Sequence, residues 1–214
     1  MSKVIFFETI PLLDGIEERA MRRMGYHEKV LSMTPAQKQE ITGFFSQARQ
    51  LIKLQGCGMR IDIVKLTDEV VHLSTGISFY SKALAGILKG CSQVVLLGAT
   101  AGEKVVESVR QDSGVNTTRA VVLDAYASEA VDYALGWIIE YFAQEVMPEG
   151  KRVIFKRFSA GYADFALDNQ QIIFNALLLA RYGVRLTKDH ILAPEKTVTA
   201  VSGITARNTP KRVV

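Results

Sequence analysis

Cysteine and histidine are almost missing from this 214-residue chain. It has two cysteines, Cys57 and Cys91, and three histidines, His27, His72 and His190. No Cys or His pair stands at a metal-ligand spacing, so a zinc-type site of ordinary pattern is excluded. Two distant thiols make no disulfide framework and read as ordinary thiols of a reducing compartment. No Ser-His-Asp arrangement can be assembled either. Proline is scarce, with five residues, and there are no repeats, low-complexity tracts or linkers. With 48% hydrophobic and 22% charged residues, that balance excludes a disordered chain. A chain of this length buries most of its apolar surface without staples. Long apolar runs are absent too: Ile172 to Ala180 is far too short for a membrane span and contains Asn175. Met1 to Pro11 is apolar but carries Glu8 and no small-residue cleavage pattern, so it does not read as a signal peptide. The expectation is a cytoplasmic protein with no membrane partner. Charge excess is slight, at +4 with a pI of about 9.0. Part of it lies in the last eight residues, where Arg207, Lys211 and Arg212 meet no acid. Nothing concentrates into the stripe that a nucleic-acid partner requires.

What is present is a succession of clear elements. Val4 to Ile10 is rich in β-branched and aromatic residues and predicts a strand. Ile16 to Met24 predicts a short helix stopped by Gly25. Thr34-Pro35-Ala36-Gln37 has the form of a capping box with Pro at the first helical position, opening a helix to about Leu54 that Gln55-Gly56 ends. Met59 to Leu66 alternates, with Ile61, Val64 and Leu66 against Arg60, Asp62 and Lys65, and Val70 to Leu73 completes a hairpin. Ser78 to Leu88 has helical spacing. Gln93 to Leu97 is a buried-strand pattern ending at Gly98. Gly98 to Gly102 then forms a tight turn into a helix from Gly102 to Gln111. It lacks the Gly-Lys-Ser/Thr of a phosphate loop and the spacing of a dinucleotide fingerprint.

Thr117 to about Met147 is the longest helical pattern, ended by Pro148 and Gly150. Its Tyr126, Tyr133, Trp137 and Tyr141 have near-helical spacing and read as core. Arg152 to Phe158 alternates as a strand. Asp168 stands as the cap of a helix from Asn169 to about Tyr182, with Gly183 as its stop. Val198 to Ile204 is the last strand. Several strand pairs lack a crossover helix, so the expectation is one α+β domain over 1–214, with a mixed or antiparallel sheet flanked by helices.

The most unusual stretch is Arg157-Phe158-Ser159-Ala160-Gly161-Tyr162-Ala163-Asp164. A strand ends in Arg, a small-residue turn follows, and Tyr and Asp precede a helix. Small residues leave main-chain groups open to a ligand. Arg offers a planar fork for a carboxylate, and Tyr a flat face with a polar tip. A strand-to-helix turn carrying a surface Arg and a packed Tyr would have the same composition.

Arg157, Gly161 and Tyr162 form an Arg-x-x-x-Gly-Tyr motif. A helix with an apolar face of Ile172, Ile173 and Leu177 follows, then Gly183-Val184-Arg185-Leu186-Thr187, Pro194, and Val201-Ser202-Gly203. In motif and in order, about the last 60 residues resemble the S-adenosylmethionine-binding activation domain of vitamin B12-dependent methionine synthase. The long helix with Glu140-Tyr141 fits as well, and about the first 110 residues resemble it loosely.

The resemblance implies the same fold and S-adenosylmethionine as ligand. It assigns Arg157 to the ligand carboxylate, and the turn of Ser159, Ala160, Gly161 and Tyr162 to contacts through its backbone and ring. An acid on the long helix would take the ligand's amino group. Asp132 is the residue at that position when the helix is aligned from its start, and Glu129 is the alternative. Asp124, Ser128 and Asp132 lie four apart and share one helix face, which also fits a solvated acidic stripe.

Two departures stand out. The family's early Asp-Trp-x-x-Phe segment has no counterpart, and its aromatic tail is replaced by Ile204 to Val214, which has no aromatic residue.

The function implied is reactivation of a cobalamin-dependent methyltransferase. The protein would present the methyl donor for reductive methylation of cobalt(II) cobalamin carried by a partner. The sulfonium already makes the methyl group electrophilic, so no stand-alone catalytic constellation is required. A chain of this length leaves no room for homocysteine, folate or cobalamin domains, so action in trans is expected. The alternative, which the two departures favour, is a docking module of a corrinoid protein that has lost S-adenosylmethionine binding.

Overall fold

The computed structural model describes residues 3–12, 14–26 and 33–207; His27, Lys211 and Arg212 lie outside them. The centre of the molecule is β5 (Cys91–Thr100), whose apolar run alternates between two cores. Val95, Leu97 and Ala99 face one hydrophobic cluster, Val94 and Leu96 the other. The two-fold periodicity of a strand therefore puts side chains on both faces, and both are covered.

On one side β5 pairs along its length with β9 (Thr197–Ala206), and on the other with β2 (Gln55–Leu66). Beyond β9 lies β6 (Lys151–Val153). The far edge of β2 is shared between two strands. β1 (Val4–Phe7) pairs with Gly56 to Met59, and β3 (Val70–Leu73) pairs with Ile63 to Leu66 and carries β4 (Ser78–Tyr80) outside it. Every pairing among the described residues is antiparallel. The result is a single-domain α+β fold with an antiparallel sheet flanked by helices. A separate two-stranded ribbon joins β7 (Arg185–Leu186) to β8 (Leu192–Ala193).

One face of the sheet carries α1 (Ile16–Arg23), α2 (Pro35–Leu51), α4 (Glu103–Asp112) and α5 (Thr117–Val146). The capping box at Thr34 and Gln37 forms as the sequence requires. The 30 residues of α5 span about 45 Å. Ala120, Ala127, Ala130 and Ala134 are buried along it, small enough to bring the helix close to its neighbours. Tyr126 is fully buried against Phe45 at 5.7 Å between rings, and Tyr133 and Trp137 are partly buried against the same core, Trp137 meeting Phe7 edge-on at 5.0 Å, whereas Tyr141, also expected in the core, is exposed. No helix among the described residues is long and apolar enough to cross a membrane.

The opposite face carries α3 (Lys82–Ile87) and α6 (Asn169–Ala176). Here local patterns misled in several places. Ser78 to Leu88 is not one helix: Ser78–Tyr80 pairs with β3 first, and Ser81 then caps α3, its hydroxyl accepting from the Leu84 amide at 3.0 Å. The residues taken as a tight turn, Gly98 to Thr100, are the end of β5, because Gln55 and Gly56 are strand rather than helix terminator and pair with them. Val64, expected inward, is exposed because a bulge between Ile63 and Lys65 reverses the alternation. The strand expected over 152–158 stops at Val153, with one further main-chain bond from the Ile154 amide to the Gly203 carbonyl at 2.8 Å, and Phe158 then returns to the sheet through paired bonds with Val201 of 2.9 and 2.8 Å. Asp168 sits at the N-cap of α6 but makes no side-chain cap bond, and the helix ends at Ala176, where Leu178 turns left-handed and a short 3₁₀ turn, Leu179–Tyr182, follows.

Candidate functional site

The bridge at Phe158 places the unusual turn at the junction of α5 and β9. Phe158 and Phe165 stack at 5.9 Å, and Phe165 is buried edge-on against Phe79 at 5.4 Å. Between these anchors the chain reverses through Gly161, whose φ of 89° lies in the region glycine adopts freely. The Gly161 amide donates to the Phe165 carbonyl at 2.7 Å, closing the turn. Ser159 Oγ donates to the Thr199 carbonyl of β9 at 2.7 Å, fixing the turn to the sheet.

Asp164 holds the other flank. Its carboxylate accepts from Ser81 Oγ at 2.6 Å, the Lys82 amide at 2.6 Å and the Ala83 amide at 3.2 Å, so it caps α3 from a distant part of the chain. The Ser81 hydroxyl foremost, with those amides, holds its carboxyl below the usual carboxylate range. A depressed carboxyl contributes stability that is present above its unfolded pKa and lost as pH falls through the folded one. Asp164→Asn is therefore expected to lower Tm at neutral pH. The gap to the parent should close in thermal melts below the ordinary carboxylate pKa of about 4. A gap independent of pH would show that the charge of Asp164 contributes nothing.

Across the junction lies a cleft of about 470 Å³ between α5, the turn and the start of β9. Asp132, Arg157, Ser159 and Tyr162 all line it, although Asp132 is 25 residues from Arg157. The Arg157 guanidinium makes two contacts with Asp132: Nη2 lies 2.9 Å from the carboxylate Oδ1, and Nη1 donates to the main-chain carbonyl at 2.9 Å. Arg157 is 27% exposed and Asp132 55%. Tyr162 stands at the rim with 67% of its surface free. The floor between them is apolar, from Val131, Leu135 and Val198. The arrangement thus offers a cation and an anion side by side, an apolar floor and a free aromatic face.

Three of the expected residues do not line the cleft. Ala160 is buried in the core on the far face of the sheet, and Gly161 shapes the turn behind it. Glu129 does not line the cleft but pairs at 2.9 Å with Nη1 of Arg23, which does. The acidic face of α5 is about half exposed, but each of its polar residues has a partner. Asp124 pairs with Lys196 Nζ at 2.6 Å, Ser128 Oγ accepts from the same ammonium at 2.8 Å, and Asp132 takes Arg157. Lys196 lines the cleft and escaped the sequence analysis, since nothing local distinguishes it; it meets Ser128 across 68 residues of chain. No group of three or more His, Cys, Asp or Glu among the described residues could hold a metal ion.

The layout of sheet, long helix and turn defines a class of fold that is already known. Over 100% of this chain and 81% of the other, it superposes on a crystal structure of the MetH reactivation domain bound to AdoHcy, with a TM-score of 0.62 at 10% sequence identity. The chain has that fold. No family model matches the sequence, and no curated protein sequence does.

Proposed function

We propose that this protein binds S-adenosylmethionine in the cleft between α5 and β9 and offers its methyl group to a corrinoid carried by a separate methyltransferase. One observation carries the proposal. Asp132 and Arg157 come from distant parts of the chain yet meet in a single cleft, in a fold shared with a domain that binds AdoHcy, the demethylated form of that ligand.

The residues fit the ligand's amino-acid end. Arg157 can take the carboxylate, and Asp132 the ammonium, each exchanging one charged partner for another. The cleft volume lies within the range of small-molecule sites, and the Tyr162 ring is free to cover a flat or cationic group. The corrinoid, held by the partner and reduced by an external one-electron donor, supplies the cobalt that accepts the methyl group, leaving AdoHcy as a neutral thioether. This chain's part is to bind, orient and present. Docking should be transient, with an interface of small size, because a permanent cap would block the methyltransferase's normal turnover.

The second reading, a docking module without the ligand, is favoured by a specific feature: Arg157 is already satisfied twice by Asp132. Calorimetry with S-adenosylmethionine and AdoHcy separates the two. One-site binding is expected, and its absence overturns the proposal. If a cobalt(II) corrinoid protein, a reductant and S-adenosylmethionine give methylated corrinoid by absorbance only when this protein is added, the presenting role stands. If binding occurs but the corrinoid stays unmethylated while its usual donor still methylates it, that role is lost.

A further inference from the structure

Beyond the amino-acid end, we infer that Lys196 and Ser128 form a second subsite that recognises a sugar hydroxyl, selecting nucleoside-bearing amino acids over free ones. The inference rests on the proposed ligand site and deepens it. Lys196 is unusual for a lysine at the mouth of a cleft. Its side chain is only 16% exposed. Its main chain is fixed by the end of β5, the carbonyl accepting from the Ala101 amide at 2.9 Å. Its ammonium is clamped between Asp124 at 2.6 Å and Ser128 at 2.8 Å.

An ammonium has three N–H donors, and these two contacts use two of them. Ser128 Oγ accepts from Lys196 and donates to the Asp124 carbonyl at 2.9 Å, leaving one lone pair. Lys196 and Ser128, both lining the cleft, thus present one spare donor beside one spare acceptor. A hydroxyl, which both donates and accepts, satisfies that pair; an anion would use the donor but leave the serine lone pair facing it. The position along the cleft also suits. Ser128 precedes Asp132 by four residues on α5, a separation of about 6 Å along the axis. Val131 and Leu135 floor the cleft nearby. An adenosyl amino acid held at Arg157 and Asp132 runs through its sulfur to a ribose diol, and its apolar thioether link would cross that floor.

Titration of the parent with AdoHcy and with its 2′-deoxy and 3′-deoxy analogues tests this directly. One of the two deoxy ligands is expected to bind about 10-fold or more weakly than AdoHcy, the loss of a charge-assisted hydrogen bond. In Lys196→Met the ratio should collapse towards one, whatever happens to the overall affinity. Ser128→Ala, which keeps the Lys196–Asp124 ion pair, should reduce the ratio by a smaller factor and guards against a folding defect in the first variant. Equal binding of all three ligands by the parent overturns the inference while leaving the proposed function intact. So does a ratio that survives in both variants. Failure of the parent to bind AdoHcy at all overturns both.

Discussion

Arg157→Ala is expected to weaken AdoHcy binding by about 10- to 150-fold, the loss of a charge-assisted contact of roughly 1.5–3 kcal/mol. Arg157→Lys should recover only part of it, since a point ammonium cannot reproduce a planar fork. The reciprocal change is more telling, because the proposed site gives Asp132 two roles that oppose each other. In the empty site its carboxylate occupies Arg157 and competes with any incoming carboxylate. In the occupied site, as proposed, it would be the acceptor for the ligand's ammonium. Asp132→Asn should therefore weaken binding of AdoHcy, which loses the acceptor, yet strengthen binding of the analogue without the amino group, which gains an unblocked arginine. Calorimetry on the two ligands reads both effects. Weakening of both by the same factor would mean that Asp132 merely shapes the cleft, and unchanged binding after Arg157→Ala would remove the site from this turn altogether.

The candidate site was legible in the sequence where chemistry is local. The Arg157 to Tyr162 stretch announces itself by its small residues and its Arg and Tyr, and the four-residue spacing of Asp124, Ser128 and Asp132 fixes a common helix face. What closes on that face is not local. Lys196 and Arg157 reach it from the start of β9 and from the turn before Phe158, and no pattern within a short window marks Lys196 as a partner of Ser128. The same limit governed the fold. The capping box at Thr34 and the long α5 are written in consecutive residues and form as expected. In a short window Gly56 has the meaning of a helix stop and Gly98 that of a turn opener, the usual roles of glycine. In the folded chain they are strand residues, and their lack of a side chain answers to neighbours far away. A Cβ on Gly98 would lie 2.8 Å from Leu179 Cδ2, and one on Gly56 would lie 2.7 Å from Ile138 Cδ1.

Glycine thus has two meanings in this protein, and they predict opposite outcomes. Gly58 lies in β2 directly beneath α5. A Cβ there would drive into the ring of Phe142 and stand 3.2 Å from Ile138 Cγ2. Both neighbours are buried, so neither can swing into solvent. Gly58→Val must therefore push α5 off the sheet, overpacking that costs about 1–3 kcal/mol. For a chain of this size that corresponds to a Tm lower by roughly 2 to 12 °C. Gly136 lies within α5 itself, and a Cβ there meets nothing within 4 Å. Its cost is the helical one, an unfolded chain with more freedom to lose, so Gly136→Ala should stabilise the protein by about 0.5–1 kcal/mol and raise Tm by a few degrees. Thermal melts of the two variants against the parent decide the matter. A neutral Gly58→Val would mean that the close contact between α5 and β2 is not kept in solution, and with it would go the rigid backing on which Asp132 is held opposite Arg157.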